Sequence, residues 1–399
     1  MKKSTKFASV LMAGTMLIGC FAGCGKSPAD TTPTPAGSAG GSSADTQLLL
    51  GGIGPLTGDY ANYGTSVRNG AKQAVEEINA AGGVNGFEFV LDFQDSQGDP
   101  DSAVSAYGKL MDSGMDVSLG GTFSGENQSV VAAAKEDGIL LLTPSASAKA
   151  SIEGNDCAFR VCFNDPAQGT ASADYIADNG LATKVAVFYG SDNDYCVGLY
   201  ETFAAECAVK GIEVVEVQSF TDGTNTDFST QINTIRDSGA ELVFLPIYAA
   251  EASTFLTQAA GKLDVPYFGC DGLDGILTKV SDTALVEGVM MLTPFAADDP
   301  SELVQAFVGS YTTAHGAVPD QFAADGYDAV YAVKSALEKT GITPETKDDT
   351  FNAQMVAAMT EISVSGVTGT MTWTADGETS KAATAMIIKD GVSVVYTGK

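Results

Sequence analysis

The sequence predicts an α/β protein of two lobes, each built on a largely parallel sheet, and three observations predict it. Apolar strand-like runs alternate with helical periodicity through most of the chain, the pattern of a parallel sheet with crossover helices. That alternation runs once to about residue 142 and starts again at Lys184. At 399 residues the chain is longer than one hydrophobic core usually serves, so two domains follow.

The stretch Leu48 to Gly86 reads as an apolar strand, a Gly/Pro/Asn loop and a bounded helix. Thr65 is the expected N-cap, Val67, Ala71, Ala74, Val75 and Ile78 recur at helical spacing, and Gly82–Gly83 stops the helix. The loop around Thr57, Asp59, Asn62 and Tyr63 lies at the carboxyl end of the strand, where open α/β sheets hold ligands, which makes it a candidate pocket wall. Phe87–Asp92 follows as a strand, Asp99-Pro100 caps a helix running toward Ser113, and Val117–Gly120 is a short strand. Glu126–Glu136 is a helix ending at Gly138, and Ile139–Leu142 a buried strand. The second set is strand Lys184–Tyr189, helix Tyr195–Val209, strand Ile212–Val217, helix Asp227–Asp237, strand Leu242–Leu245, helix Ala249–Lys262 and strand Val289–Leu292. Helical patterns at Ser301–Thr313 and Phe322–Glu338 and strands near Met371 and at Ala385–Ile388 complete the chain.

The amino terminus reads as a targeting segment. Lys2, Lys3 and Lys6 precede an apolar run from Phe7 to Ile18 that is too short to span a bilayer comfortably, and small residues lead into cysteine. Leu17-Ile18-Gly19-Cys20 and Phe21-Ala22-Gly23-Cys24 both look like the lipobox of bacterial lipoproteins, so lipidation is expected at Cys20 or Cys24. The alternative is an ordinary cleaved signal with two incidental cysteines. Residues 25–46, rich in Pro and Thr and then in Gly, Ser and Ala, have no periodic apolar face and read as a disordered tether. An exported protein held at the outer face of the cell membrane follows.

A formal charge of −29 repels nucleic acid and anionic membrane, so neither is an expected partner beyond the lipid anchor. The five cysteines after the tether, Cys157, Cys162, Cys196, Cys207 and Cys270, show no CxxC spacing and imply no metal or redox motif. Cys157 and Cys162 flank a strand, which places their Cα atoms about 16 Å apart, too far for a disulfide; buried reduced thiols are expected.

Chemistry that makes bonds is disfavoured. The single histidine, His315, sits in a helix-end context before Gly316, so any Ser-His-Asp or Cys-His device would depend on it alone. Asp222-Gly-Thr-Asn-Thr-Asp227 lacks the glycine and distal glutamate of a calcium loop, and Asp227 reads instead as a helix cap. Asp92 and Asp95 are carboxylates of the kind an acidic chain places near one another by chance. Gly52, Gly54 and Gly58 miss the dinucleotide spacing by one residue. No enzyme, cofactor or metal is expected.

The Gly54-Pro-Leu-Thr-Gly58 turn, Tyr63-Gly64 and the AVEEINAAGGVNG run resemble the branched-chain amino acid (Leu/Ile/Val) binding proteins, the substrate-binding components of ABC importers. The resemblance covers nearly the whole chain after the tether. It implies two Rossmann-like lobes with parallel sheets joined by a hinge, the type I periplasmic-binding fold. The lobes would be 47–164 plus 295–370 and 165–294 plus 371–399, after a signal over 1–24. It further implies an amino acid ligand, the membrane subunits of an ABC permease as partner, and a monomer.

The resemblance also locates the site. In Gly120-Gly-Thr-Phe-Ser-Gly125, Ser124 matches the family serine that binds the ligand carboxylate; Thr122 and Phe123 replace smaller or more aliphatic residues. In Thr143-Pro-Ser-Ala-Ser147, Ser145 matches a backbone contact and Ser147 a family threonine. Loops before helices offer unpaired N–H groups and a positive dipole end, so an anion site there is physically reasonable. Ser124 and Ser147 acting only as N-caps is the alternative. From the second lobe, Tyr195, Tyr248 and Asp271 fall where the family has its tyrosines and an acidic residue for the ligand ammonium, usually glutamate. Tyr63 and Phe322 match positions around the side-chain pocket. The function implied is binding of a branched-chain or other apolar amino acid; an amide, urea-like solute or aromatic acid on the same scaffold is the alternative.

Overall fold

The computed structural model describes residues 46–221, 224 and 226–398. The expected signal, the cysteines Cys20 and Cys24, and the tether up to residue 45 lie outside the described residues.

The first lobe grows from β1 (Gln47–Gly54), α1 (Ala61–Ala80), β2 (Glu88–Asp95), α2 (Pro100–Asp112), β3 (Val117–Gly121), α3 (Ser124–Ala134), β4 (Leu141–Thr143) and β5 (Ala158–Arg160). Its five strands lie in the order β2-β1-β3-β4-β5, all parallel. Helices cover both faces, so β3 is buried at every residue and reads as a continuous apolar and small-residue run rather than an alternating one.

The chain then crosses into α4 (Asp165–Asp178), β6 (Lys184–Gly190), α5 (Asp194–Lys210), β7 (Glu213–Phe220), α6 (Ser229–Asp237), β8 (Leu242–Leu245), α7 (Ala249–Ala259), β9 (Tyr267–Gly269) and β10 (Met290–Thr293). It returns to the first lobe with α8 (Glu302–His315), α9 (Gln321–Thr340), α10 (Phe351–Met359) and the hairpin β11 (Ser363–Gly366)–β12 (Gly369–Thr372), whose Val364 and Met371 join the core of α9 and α10. It ends on β13 (Thr384–Lys389) and β14 (Val392–Val395), which extend the second sheet by two antiparallel strands to β14-β13-β10-β9-β8-β6-β7. Two lobes with largely parallel sheets, the architecture expected from the sequence, result.

Several local expectations change. Helix α1 begins at Ala61 with Tyr60 in the N-cap position, so Thr65 is not the cap and Tyr63 is a first-turn residue. The earlier start is held by close packing, because a Cβ on Gly64 would stand 2.2 Å from the Pro55 carbonyl oxygen. Asp227 is not the cap of α6; Phe228 is, while the Asp227 carboxylate accepts from the Ser229 N–H from one residue farther upstream. The five cysteines after the tether are free; four are buried, but Cys157 is only half-buried at the start of β5. The sequence pattern does not announce helices α4 and α10 or strands β9, β11 and β14. The small-residue face of α4 carries little hydrophobic periodicity, yet it packs tightly: a Cβ on Gly169 would sit 2.7 Å from the Leu199 carbonyl oxygen of α5.

Two of the crossings are stitched together. The Arg160 N–H donates to Gly377 O at 3.1 Å, Trp373 Nε1 donates to Arg160 O at 2.7 Å, and Asn164 Nδ2 donates to Glu378 Oε2 at 2.9 Å. Arg160, with no exposed surface, completes the stitch through an ion pair with Glu378 at 3.2 Å.

Candidate functional site

The carboxyl ends of β1, β3 and β4 face those of β6, β8 and β9 across the gap between the lobes. The β3–α3 turn carries Thr122, Phe123 and Ser124. Thr122 Oγ1 donates to Ile53 O at 3.0 Å and fixes the turn to β1, and Glu126 reaches back to accept from the Phe123 N–H at 3.0 Å. Burial pushes the Glu126 carboxyl up to about 7 against the hydrogen bonds it accepts.

Ser145 donates to Thr122 O at 2.7 Å, tying the β4 loop to the β3 loop. The Ser124 hydroxyl accepts from the Ala148 N–H at 3.1 Å. Ser124 is the first helical residue of α3 and Ser147 precedes the Ala148 that opens the short Lys149–Ser151 turn, so neither serine is an N-cap. The capping-only alternative therefore fails at both. Below them Arg160 Nη1 donates to Ala146 O and Ser147 O at 3.1 and 2.5 Å, and Nη2 to Ala148 O at 3.0 Å. This buried guanidinium gives the 146–148 loop its shape.

The second lobe presents Asp271 just after β9, fully enclosed. Tyr195 Oη donates to its Oδ1 at 2.7 Å and Gln168 Nε2 to its Oδ2 at 3.0 Å. Burial raises this carboxyl above its ordinary value, and the two donors partly offset the rise. Tyr195 Oη also accepts from the Gly272 N–H at 2.8 Å, and a Cβ on Gly272 would stand 2.5 Å from that hydroxyl, so only glycine fits. Tyr248 stacks on Tyr195 at 4.9 Å between ring centroids and tilts against Phe123 of the first lobe at 4.8 Å.

Thr122, Phe123, Ser124, Ser145, Ser147, Tyr195, Tyr248, Asp271 and Phe322 line one small cavity with about 10 Å³ of free space, room for a single water. Nine of the ten residues that the resemblance locates thus meet at one place, whereas Thr57, Asp59 and Asn62, expected as a pocket wall, are not among its lining residues. The tenth, Tyr63, stands behind the lining: it packs edge-on against Phe322 at 4.8 Å and bonds to backbone of the second lobe. The cavity is hydroxyl-rich on the first-lobe side, acidic on the second and aromatic between, with no basic side chain among its lining residues. A wider depression of about 340 Å³, bounded by Tyr60, Pro100, Glu126 and Asp192, shares Phe123 and Tyr248 with it.

Sequence reasoning missed Arg160, Asp165 and Gln168 as parts of this region. A lone arginine inside the apolar run Ala158–Val161 was a legible signal, since such a residue is buried only when paired. Asn164-Asp-Pro166 was another, because an N-cap residue just ahead of proline opens a helix there. Among the described residues no group of three or more His, Cys, Asp or Glu side chains is placed to hold a metal ion. His315 closes α8 before Gly316, with its ring 4.4 Å from Tyr311 and away from the cavity.

The sequence profile of the periplasmic binding protein family matches residues 47–392. The chain is similar to the Leu/Ile/Val-binding protein homolog 3 of Brucella melitensis, 31% identical over 311 residues, which are 76% of this chain and 82% of that protein. It is also similar to the leucine-, isoleucine-, valine-, threonine-, and alanine-binding protein of Pseudomonas aeruginosa, 30% identical over 312 residues, 77% of this chain and 82% of that one. Among solved structures it is similar to the branched-chain amino acid transporter substrate binding protein LivJ from Streptococcus pneumoniae in complex with isoleucine. There the TM-score is 0.79 at 26% identity, covering 88% of this chain and 99% of that chain.

Proposed function

The chain belongs to the periplasmic binding protein family, and from that premise we propose that it is the extracytoplasmic substrate-binding component of an ABC importer, taking a branched-chain or other apolar amino acid between its lobes. Members of this family bind and deliver solutes; they are not enzymes. The observation that carries the reading is the polarity of the cavity, with hydroxyls and a helix N-terminus on one side and the Asp271 carboxylate on the other. A zwitterion needs both ends. Ser124, Ser147 and the N-terminal N–H groups of α3 would hold the carboxylate, with Thr122 and Ser145 fixing the loops. Asp271, oriented by Tyr195, would take the ammonium. Phe123, Tyr248 and Phe322 would enclose the side chain without offering it a countercharge, and Tyr63 would set the distance between the lobes.

Closure in this scheme is a population shift. A ligand that touches both lobes binds the closed form more tightly and so increases its share, and the permease reads the closed surface. Export with a lipid at Cys20 or Cys24 and a monomeric state belong to the same proposal; the two lipobox-like runs and the tether composition support the anchor.

Native mass spectrometry of the freshly purified protein tests the reading directly, because an enclosed cleft retains its ligand. A mass increment equal to an apolar amino acid is expected, together with a rise in melting temperature led by apolar L-amino acids. At a hundredfold above its dissociation constant such a ligand stabilises the fold by about 2.7 kcal/mol. Retention of an amide or aromatic acid, with no shift from any free amino acid, would replace this reading with the alternative.

A further inference from the structure

Arg160, the last residue of β5, has no exposed surface, and its two terminal nitrogens address four consecutive carbonyls. Nη1 donates to Ala146 O at 3.1 Å and Ser147 O at 2.5 Å, and Nη2 to Ala148 O at 3.0 Å and Lys149 O at 3.4 Å. In a planar trans peptide the N–H points away from the C=O. Drawing these carbonyls onto the guanidinium therefore turns the N–H groups of Ser147, Ala148 and Lys149 to the other side of the loop. One of them is held there: the Ala148 N–H donates to the Ser124 hydroxyl at 3.1 Å, and Ser124 and Ser147 both line the cavity. Successive N–H groups on one side of a loop make a concavity that favours anions.

The charge of Arg160 acts in the same direction. No basic side chain lines the cavity, whereas this guanidinium stands one layer of peptide groups behind it. Its countercharge, Glu378, pairs with Nε at 3.2 Å through a side chain 28% exposed, so water screens the carboxylate while the Nη groups face only the dry loop. A buried ion pair is weak ground for stability, because desolvation offsets its attraction. What the fork does to the loop accounts for its place.

We propose that Arg160 is a positioning residue for the carboxylate of the solute. Through the four carbonyls it aims the loop N–H groups at the cleft and lends them its charge, so the preference for an acid over the neutral amide is set by a side chain that never touches the solute. The inference rests on the reading of the cleft as a solute site and requires only that the solute carry a carboxylate. A lysine at this position would keep the charge, but three donors on one nitrogen cannot span four carbonyls as the planar fork does.

Calorimetric titration of the full chain with L-leucine and with L-leucinamide, which keeps the side chain and the ammonium but has no carboxylate, tests it. The parent is expected to favour L-leucine. Arg160→Lys should weaken L-leucine at least about tenfold, the worth of one hydrogen bond to a charged group, and L-leucinamide less than about threefold. Glu378→Gln keeps an acceptor for Asn164 and removes the countercharge, so it should raise the ratio of the two affinities above that of the parent. Equal weakening of acid and amide by Arg160→Lys, unchanged affinity for L-leucine, or a ratio that Glu378→Gln fails to raise overturns the proposal and leaves the amino acid reading standing. Should Arg160→Lys not fold, the Glu378→Gln ratio decides alone. A parent that binds benzoate over benzamide but no amino acid overturns the amino acid reading, and the same two variants then judge the proposal on that pair. A parent that binds no acid more tightly than its amide overturns both.

Discussion

The Tyr63 hydroxyl, carried by the first lobe, donates to the Gly272 carbonyl of the second at 2.7 Å, and the same oxygen accepts from the Ala249 N–H at 2.8 Å. One buried side chain thus ties two second-lobe loops to α1. Gly272 is also the residue whose N–H meets Tyr195, so the bond joins the closure contact to the Asp271 network. Around it Tyr60 Oη donates to Glu251 at 2.5 Å, and the Gln321 N–H donates to Asp274 at 2.7 Å.

Tyr63→Phe removes the hydroxyl and leaves a buried carbonyl and a buried N–H without their partner. Such a loss costs about 1–3 kcal/mol. Because those bonds exist only when the lobes meet, the expected result is a dissociation constant for L-leucine raised roughly 5- to 150-fold. Small-angle scattering should show a larger radius of gyration in the variant at subsaturating ligand. Unchanged affinity would mean that the contact does not contribute to closure.

Asp271→Asn keeps the shape and removes the charge. Loss of one partner of a buried charged contact costs about 2–5 kcal/mol, roughly thirtyfold or more in affinity. Ser147→Ala is expected to cost less, because backbone N–H groups of α3 and the Ser124 hydroxyl remain to hold the anion. Titration of both variants with the ligand identified by mass spectrometry gives the order. An Asp271→Asn protein that binds and closes like the parent has no ammonium at that position.

Acidic side chains at the lobe contact set a pH dependence. Burial, and then the Asp320 carboxyl, push Asp274 up to about 7, and burial likewise pushes Asp325 up to about 7 despite its ion pair with Lys381. A carboxyl whose folded value is raised binds more protons folded than unfolded. Its contribution is fully present below the unfolded value near 4 and is lost as pH rises through 7. The ligand-free protein should therefore melt at a higher temperature at pH 5.5 than at pH 8. Asp274→Asn should flatten that difference in a calorimetric scan; an unchanged slope would place the titration elsewhere.

The amino terminus makes a separate claim. Metabolic labelling with a palmitate analogue should mark the protein, single alanine replacements should decide between Cys20 and Cys24, and the double replacement should abolish the label. Label that persists in the double variant removes the lipid anchor from the proposed function.

The sequence made the parallel core strands legible because strands such as Leu242–Leu245 are buried along their whole length and bounded by helix signals. It made most of the cavity legible because Ser124, Ser147, Tyr248 and Asp271 follow within a few residues of strand ends, where the chain order alone fixes the side of the sheet. Thr65 misled because hydroxyl identity suggested a cap, whereas the true start of α1 is set by the approach of Gly64 to Pro55 across a turn, a contact with no local signature. Helix α4 was hidden for a related reason: beside Ile176, its buried face includes Gly169, Ser172 and Ala173, small residues whose value lies in how closely α5 approaches. Asp165 and Gln168 went with it. Gln168 is held by its bond to Asp271, 103 positions away, and by no pattern within its own segment.

The stitch between Arg160, Asn164, Trp373, Gly377 and Glu378 bears on the kind of motion the two halves can make. Two separate strands linking two bodies permit twist, shear and bending in combination. Of the three links here, the two welded side to side act as one broad leaf that resists twist and shear, so the halves are expected to swing along one arc like a door on a continuous hinge. Spin labels placed on opposite lips would then report distances that fall on one curve, whatever solute is added, and different ligands would differ only in how far along that curve they hold the door.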